Sequence, residues 1–554
     1  MKTNLAVVAS QPGRGRRERL DDQTTIDKSR TPEVVIALCG PMGTPLHEVA
    51  QMFKSLLQET DYSYSKVDII RLSNEICRLS NVKKEDCSTH DLIEAGNQLR
   101  RDHGNAVLAR VAIQQIALER EKLNEATKGD YQHQQPTLFP DSDPDRDVIR
   151  PTVSEKRCHI IDSIKHIDEL RLLRSVYGDM LHVVGVYTPI ELRVERLAKR
   201  ASRGDDVYRL IDRDSGEEHD YGQRVQDTFP LSDFFLRADK NTDSQLRARG
   251  KRFLDLMLGT RIMTPTVHER AMYAAYSAAR NSACLSRQVG AALANKRGSV
   301  ISVGWNDVPR PFGGLYETVD VSDSPDGDHR CWNVEGGRCF NDSEKSAIAD
   351  AVVSKMVDKK IIEPHKREEA FALMRHDTQL KSLIEFSRAV HAEMHALLSA
   401  GATHGAEVSG GKLFVTTYPC HSCARHIVAA GIEEVYFLEP YRKSLATKLH
   451  SDAITDRETD QNKVRIMPFD GVAPSRFLKF FSSHETGRKD SSSGQMKIRA
   501  AYPVTAITLE AIPTLEALAV RELQSTGPDG DALSGEGRPT PEAGGGDVNQ
   551  PKGD

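Results

Sequence analysis

The chain has 554 residues, with 75 Lys and Arg against 80 Asp and Glu, and 38% of its residues are hydrophobic. At roughly 150 residues per domain, this length predicts two to four domains. The formal net charge of -5 disfavours a protein that mainly coats nucleic acid, because such binding needs a surplus of basic groups. A local basic pocket remains compatible with this balance.

The sequence gives no sign of membrane insertion or export. Its longest apolar stretches, such as residues 181–186, are too short to cross a bilayer, and residues 5–9 are too weakly apolar for a signal peptide. We therefore expect a cytoplasmic protein without membrane contact. In a reducing cytosol, clustered members of the nine cysteines are expected to be metal ligands or catalytic groups and not a disulfide framework.

Both ends of the chain are predicted to be disordered. Residues 1–30 form a polar leader with an Arg-rich run at 13–19. Residues 526–554 are rich in Gly and Pro and nearly lack large apolar side chains, so burial cannot offset their ordering entropy. Residues 127–150, rich in Asp and Pro, are predicted to form a loop or insertion.

Short apolar runs alternate with helical patterns from residue 31 to about residue 260. The expected strands are Val34–Cys39, residues 159–164 and Leu181–Tyr187. An amphipathic helix follows the first strand, and the helix Asp243–Leu258 closes the unit. This alternation predicts a parallel, doubly wound α/β sheet.

A second α/β unit, predicted as a three-layer α/β/α domain, spans residues 264–485. Its expected helices are residues 268–285, 390–400 and 420–430. Its expected strands are residues 289–295 and 300–303, Lys412–Thr417 and residues 434–438. Residues 307–342 are predicted to be an irregular insertion, and residues 486–525 a C-terminal extension with a helix at 509–523.

Three side chains in the second unit form a plausible zinc site: His391, Cys420 and Cys423. A catalytic zinc takes about three protein ligands and keeps one position open for water. The two cysteines start a predicted helix, whose N-terminus favours the thiolates that metal binding requires. Glu393, two residues after His391, is placed to move a proton between water and substrate. Zinc lowers the pKa of bound water from near 16 to about 7.

The pattern His391-Ala-Glu393 with Pro419-Cys420-His-Ser-Cys423 resembles the signature of zinc-dependent nucleobase deaminases. A structural zinc or a pair of unrelated thiols is the alternative, but a structural site is usually closed by four protein ligands. The nearest fourth candidate, His421, lies between the two cysteines. The catalytic interpretation is therefore preferred.

Two further segments resemble the substrate side of cytidine and deoxycytidylate deaminases: residues 286–292 and the run Val303-Gly-Trp-Asn306. The resemblance implies that Asn306 contacts the sugar. A simple turn asparagine is the alternative. His395 stands where many deoxycytidylate deaminases have Asn, so the resemblance leaves phosphate number and allosteric behaviour open.

The predicted insertion combines basic residues with possible metal ligands. Its arginines, Arg310, Arg330 and Arg338, are candidates to grip a triphosphate. A second, structural zinc on His329, Cys331 and Cys339 is another possibility. Because the spacing of the two cysteines is unusual for zinc, an ordered lid with free thiols is preferred.

The segment Gly40-Pro-Met-Gly43-Thr44 follows a buried strand, where a phosphate-binding loop belongs. It lacks the Lys of a working loop of this type. Asp162 ends a later strand, at a position that suits a Walker-B-like or catalytic-base residue. A basic helix resembles the lid of nucleotide kinases through the following residues: Arg193, Arg196, Lys199, Arg200 and Arg203. A solvated helix face without a binding role is the alternative. We expect a kinase-like domain that binds a nucleotide or another regulator at Gly40, Gly43 and Thr44 without efficient phosphoryl transfer.

A kinase-like domain followed by a deaminase-like domain resembles the bacterial anti-phage dCTP deaminases, from residue 32 to residue 481. The resemblance implies hydrolysis of dCTP, and of dCMP, to deoxyuridine nucleotides and ammonia, which depletes dCTP during infection. It also implies restraint by a small RNA, and we expect a homo-oligomer. A housekeeping dCMP deaminase, a polynucleotide deaminase and a non-catalytic nucleotide sensor are the alternatives.

Overall fold

Two six-stranded sheets organise the chain. The structure is a computed structural model that describes the following residues: 30–82, 88–126, 154–199, 223–238, 243–318, 327–334, 336–440, 444–482, 488–490, 492–497, 500–509 and 511–525. The expectations for residues 1–29, 127–150, 526–554, Arg200 and Arg203 lie outside this part of the chain. No described helix is both long enough and apolar enough to cross a membrane.

The first sheet is parallel except at one edge. Its strands are β1 (Val34–Cys39), β2 (Lys66–Arg71), β3 (Arg157–Ile164), β4 (Leu181–Tyr187), β5 (Phe234–Arg237) and β12 (Gly471–Val472). They lie in the order β12-β5-β4-β1-β3-β2, and only β12 is antiparallel to its neighbour. Every residue of the central strand β1 is fully buried, as expected when helices cover both faces of a parallel sheet. The predicted α/β class is confirmed here.

Eight helices belong to this front half of the chain, residues 30–258. They are α1 (Leu46–Leu57), α2 (Leu72–Leu79), α3 (Thr89–His103), α4 (Val107–Ala126), α5 (Ile167–Tyr177), α6 (Ile190–Ala198), α7 (Val225–Thr228) and α8 (Asp243–Leu258) among the described residues. The amphipathic pattern predicted for α1 is observed, since Val49, Phe53 and Leu56 are buried. The loop 40–44 therefore runs from the carboxyl end of β1 into α1.

The second sheet mixes parallel and antiparallel pairs. Its strands are β6 (Gly290–Ala294), β7 (Val300–Trp305), β8 (Lys412–Thr417), β9 (Glu434–Glu439), β10 (Ile454–Thr455) and β11 (Val464–Pro468), in the order β10-β11-β9-β8-β6-β7. β6 is antiparallel to β7 and to β8, whereas β8, β9, β11 and β10 pair in parallel.

Helices cover both faces of the second sheet. They are α9 (Val267–Ala278), α10 (Phe340–Asp358), α11 (Arg367–His376), α12 (Ala392–Val408), α13 (His421–Ala429) and α14 (Ala446–Leu449). Glycines allow close packing on opposite faces: a Cβ on Gly290 would lie 1.9 Å from the carbonyl of Ala275 in α9, and one on Gly304 would lie 2.4 Å from the carbonyl of Ala392 in α12. The unit therefore has the expected three layers.

Residues beyond 470 return to the front half. β12 pairs with β5, and the last helices are α15 (Phe477–Phe481) and α16 (Ile512–Ser525). α16 packs against α4, where the buried Arg120 forms ion pairs with Glu33 and with Glu516 of α16. The segment predicted as an extension is thus part of the core of the front half.

Candidate active site

Two helix starts bring the predicted zinc ligands together. His391 is the N-cap residue of α12, and Cys420 is the N-cap residue of α13, directly after the loop that leaves β8. The Nδ1 atom of His391 lies 3.4 Å from the Sγ atom of Cys420 and 3.2 Å from that of Cys423. Among the described residues, this is the one group of three or more His, Cys, Asp or Glu side chains close enough to hold a metal ion.

The donor set fits zinc. Zn–S and Zn–N bonds of about 2.3 and 2.1 Å at tetrahedral angles place S and N ligands about 3.5 Å apart. The observed separations of 3.4 and 3.2 Å are close to that value. Three ligands of the Cys₂His type leave a fourth position free, which is the arrangement of catalytic zinc sites.

The local electrostatics favour a thiolate at Cys420. Its Sγ atom accepts a hydrogen bond of 3.4 Å from the backbone N–H of Cys423, in the first turn of α13. The pKa of Cys420 is lowered to about 4, most of all by the hydrogen bond from the Cys423 thiol and then, against the opposing effect of burial, by His391 and this backbone N–H. The positive end of the helix acts in the same direction.

Glu393 lies in the first turn of α12, two residues after His391. Its side chain is buried, with 4% exposure, and this burial raises the pKa of the carboxyl group. Raising the pKa of a carboxyl group makes it a stronger proton acceptor, which suits a group that must take up and return protons during a reaction. Its position beside the three ligands is the one expected for a proton carrier.

These residues line one cleft, the zinc cleft, of about 660 Å³. Its walls include His391, Glu393 and Cys420 together with Asn306. The Asn306 side chain accepts a hydrogen bond from the Val289 N–H at 2.7 Å and donates one to the Arg287 carbonyl at 2.8 Å. Asn306 therefore shapes the cleft wall as a turn residue, and its second N–H and second lone pair are compatible with the predicted sugar contact.

His395 supports the same wall. Its Nδ1 atom accepts a hydrogen bond of 3.2 Å from the Trp305 N–H, and its ring meets the Trp305 ring edge to face at 4.7 Å. Burial lowers the pKa of His395, which keeps the ring neutral and able to accept this bond. His395 thus links α12 to the Gly-Trp-Asn turn.

The insertion differs from the expectation. Arg330 is buried against Asp328 at 2.6 Å, Arg310 donates to the Gly313 carbonyl, and Arg338 lies over the Phe340 ring. None of these three arginines is among the described residues that line the zinc cleft, and their guanidinium groups make the contacts given above.

The second metal site is likewise not formed. The His329 ring packs edge to face on Tyr316, and the described residues 329, 331 and 339 do not form a group able to hold a metal ion. Cys331 and Cys339 do not form a disulfide.

The cationic side chains of the zinc cleft are ones that the sequence did not single out: Arg287, Lys345 and Lys381. Lys345 lies in α10, and Lys381 lies in the turn before residue 383. The sequence pattern of this stretch predicted no secondary structure. The Lys345 ammonium group donates to the Lys381 carbonyl at 3.0 Å. Isolated lysines on a polar helix carry no sequence signal for a site.

A separate cavity of about 430 Å³, the front cavity, lies at the loop after β1. The residues that follow Gly40, from Pro41 to Pro45, line it, and they include Gly43 and Thr44. Gly43 has φ of 84°, and a Cβ there would lie 2.8 Å from the Arg193 carbonyl. Arg193 is buried and donates a hydrogen bond of 2.6 Å to the Met42 carbonyl, so it holds the loop and is not a solvent-facing lid residue. The buried Thr44 hydroxyl has no hydrogen-bond partner among the described residues.

Comparison with known proteins agrees with the zinc site. Residues 265–439 match the family model described as "Cytidine and deoxycytidylate deaminase zinc-binding region". The protein named "Deoxycytidylate deaminase" of Enterobacteria phage T4 is 29% identical over 177 residues, which are 31% of this chain and 76% of the relative. "ComE operon protein 2" of Bacillus subtilis is 41% identical over 56 residues, 10% of this chain and 29% of the relative.

Among solved structures, a dCMP deaminase from the cyanophage S-TIM5, in complex with dCMP and dUMP, is similar to this chain at 21% identity. The match covers 37% of this chain and 99% of that one, with a TM-score of 0.21. The family match and the His, Cys, Cys group together confirm the predicted zinc cofactor. The matched residues 265–439 are thus similar to cytidine and deoxycytidylate deaminases, and we call the second α/β unit, which contains them, the deaminase domain.

Proposed function

We propose that the chain is a zinc-dependent hydrolase that converts deoxycytidine nucleotides, dCTP and dCMP, to deoxyuridine nucleotides and ammonia. The observation that carries this proposal is the buried Glu393 carboxyl group, which lines the same cleft as His391 and Cys420, two members of the His391, Cys420 and Cys423 group. The three ligands would hold zinc, which supplies a nucleophile at neutral pH by lowering the pKa of water. The relatives named as deoxycytidylate deaminases support the substrate class.

In this proposal, Glu393 carries protons. It takes one proton from the attacking water and delivers it to the pyrimidine ring nitrogen. It then transfers a second proton, from the newly added hydroxyl group, to the amine, which departs as ammonia and leaves the carbonyl group of the uracil ring. Its raised pKa suits both directions of transfer, since burial stabilises the neutral form of the carboxyl group and outweighs the opposing effect of His391. Asn306 and His395 hold the wall of the cleft beside the substrate.

Two versions of this activity differ in the number of phosphates on the preferred substrate, dCTP or dCMP. Arg287, Lys345 and Lys381 line the zinc cleft together with the carboxylates of Asp342 and Glu393. Lys345 lies 3.5 Å from Asp342, and Arg287 pairs with Glu439. The lining therefore has a surplus of one cationic side chain, which favours a nucleotide over a nucleoside only modestly. Hydrolysis of dCTP fits the order of a kinase-like and a deaminase-like domain. Preference for dCMP, as the relatives' names imply for those proteins, would instead point to a housekeeping enzyme that makes dUMP.

The test is a deamination assay with dCTP, dCMP, CTP and CMP. We expect the wild type to release ammonia from deoxycytidine nucleotides and Glu393→Ala to lose at least about 100-fold, the usual contribution of a general acid–base group. Glu368→Ala removes an exposed carboxylate on α11 and serves as the matched control. Full turnover by Glu393→Ala would overturn the mechanism, and faster turnover of dCMP than of dCTP would favour the housekeeping version.

We also propose that the front cavity binds a nucleotide or another regulator without efficient phosphoryl transfer. The loop 40–44 with its unpartnered Thr44 hydroxyl supports binding, and the absence of a Lys in the sequence of this loop supports the lack of transfer. The full chain must be used, because β12 and α16 belong to the front half. Robust phosphorylation of a nucleoside monophosphate from ATP would overturn this proposal.

The biological proposal is defence: a cytoplasmic, homo-oligomeric enzyme that depletes dCTP during phage infection and is restrained by a small RNA. Cells expressing the wild type should lose dCTP on infection and form fewer plaques than cells expressing Glu393→Ala. Copurification of a discrete RNA, and its release on infection, would support the restraint. Equal plaque numbers with both proteins would count against the defensive role.

A further inference from the structure

A third cavity, the central cavity, lies between the front half and the deaminase domain and has a volume of about 260 Å³. Tyr187 and Phe229 line it from the front half, and Tyr418 and Phe437 line it from the deaminase domain. It differs from the zinc cleft, which contains Glu393, and from the front cavity, which contains Thr44. The proposed deamination does not use it.

The central cavity shares one wall residue with each of the other two. Pro41 lines both the central cavity and the front cavity, and Tyr418 lines both the central cavity and the zinc cleft. Tyr418 stands two residues before the ligand Cys420. An occupant of the central cavity would therefore contact residues of the loop after β1 and of the loop that carries a zinc ligand.

Side chains of the central cavity also hold both loops by hydrogen bonds. Ser444, a lining residue, donates from its hydroxyl group to the Pro419 carbonyl at 2.7 Å, directly before Cys420. Arg193, another lining residue, donates to the Met42 carbonyl at 2.6 Å. Movement of either lining residue would be transmitted to the neighbouring site through these bonds.

The lining selects the chemistry of the occupant. It contains four aromatic rings, of which those of Tyr418 and Phe437 meet edge to face with centroids 5.0 Å apart. Aromatic rings at such angles form a corner against which a planar ring can stack. The charged lining residues within the described part of the chain are Arg193 and Asp456, whose charges balance. A triphosphate would need a surplus of positive charge, whereas a neutral planar heterocycle matches this wall.

We propose that the central cavity binds a nucleobase or nucleoside without phosphate and that its occupancy is coupled to the zinc cleft through Tyr418. The proposed binding site does not depend on the proposed deamination. The proposed coupling does rest on the deamination, because it concerns the activity of the zinc cleft. Coupling requires that the occupant bind one conformation of the Tyr418 loop more tightly than others that the loop can adopt. The effect is reciprocal, so substrate in the zinc cleft changes the affinity for the occupant by the same factor.

The binding test is calorimetric titration of the zinc-loaded full chain with adenosine, guanosine, thymidine and uridine. We expect at least one of them to bind with a dissociation constant below about 100 μM. Ile190→Trp fills the cavity from the front half and Thr447→Phe fills it from the deaminase domain, and each should weaken binding at least about tenfold. The matched control is Ile361→Trp at a side chain that is 68% exposed.

The site proposal is overturned if no probe binds the wild type, or if both filling variants bind as tightly as Ile361→Trp. Thermal unfolding of each variant shows whether it is folded, and the two variants alter opposite walls, so one misfolded protein does not decide the result. The coupling is tested by deamination with and without the bound probe. We expect kcat or KM to change at least about twofold, and unchanged kinetics at saturating probe would refute the coupling alone.

Discussion

The guanidinium group of Arg252 in α8 donates a hydrogen bond of 2.6 Å to the Glu269 carboxylate in α9. The same carboxylate accepts from the N–H of Thr266 at 2.7 Å, which caps α9, and from the N–H of Val472 at 3.0 Å, in β12. Glu269 is fully buried. One side chain therefore joins the last helix of the front half, the first helix of the deaminase domain and the returning strand.

Glu269→Gln should lower the free energy of unfolding by about 1–3 kcal/mol, because a charge-assisted bond is lost and a buried group is left poorly paired. The measurement is urea unfolding followed by circular dichroism. Glu119→Gln is the control, since Glu119 is 44% exposed and pairs with Lys122 on the surface, where such pairs contribute little. Equal unfolding midpoints for the two variants would contradict the structural role of Glu269.

Local sequence patterns predicted much of the architecture. Val34–Cys39, Leu181–Tyr187 and Lys412–Thr417 were recognised as strands because their apolar runs are bounded by turns, and all three form strands with these bounds. His391, Cys420 and Cys423 were recognised because their spacing is short and their chemistry is specific. Each of these signals is contained within a few residues.

Features that depend on distant partners were missed. Nothing near Gly471 indicates that it pairs with Phe235, and nothing near Glu516 indicates that it meets Arg120 in the front half. Arg330 looked available for phosphate because its partner Asp328 carries no signal of pairing in sequence. Lys345 was missed for the same reason, because only the folding of distant segments places this residue in the zinc cleft.

Zinc should be present at one ion per chain, since one group of described residues can hold it. Cys423→Ser should lose the metal and the deamination, because the remaining two ligands bind zinc far more weakly. Cys331→Ser should retain one ion. Metal analysis by mass spectrometry checks both. Two ions per chain in the wild type, falling to one in Cys331→Ser, would show that the insertion does bind a second zinc.

His182 should make the front half less stable in acid. Its buried ring lies between Phe253 and Phe480, at centroid distances of 6.2 and 6.0 Å, and burial lowers the pKa of His182 to about 4. The folded chain keeps the ring neutral, whereas the unfolded chain protonates it below about pH 6.5. The stability that depends on the neutral ring is therefore complete above pH 6.5 and falls as the pH approaches 4, by at most about 3 kcal/mol.

His182→Phe should flatten this part of the pH dependence, measured as the urea midpoint between pH 7 and pH 4. The charged neighbours of His182 are Asp233, Asp179, Arg476 and Lys479, whose effects on its pKa oppose one another. The substitution leaves all four of these residues unchanged, so it removes only the titration of His182 itself. His376→Phe, at an exposed position in α11, is the control. An unchanged slope in His182→Phe would show that other groups govern the acid response.

Gly304→Ala should impair catalysis although the residue contacts no reacting group. The added Cβ would lie 2.4 Å from the Ala392 carbonyl, so β7 and the start of α12 must separate. Because His391 and Glu393 flank Ala392, the shift moves a zinc ligand and the proton carrier together, and a displacement of about 1 Å can cost about 100-fold in rate. Gly401→Ala lies in the same helix, where a Cβ meets nothing within 4 Å, and should keep full activity with equal or greater stability. Deamination rates and zinc content of the two variants decide the matter: if Gly304→Ala matches Gly401→Ala in both, the close approach of strand and helix does not position the site.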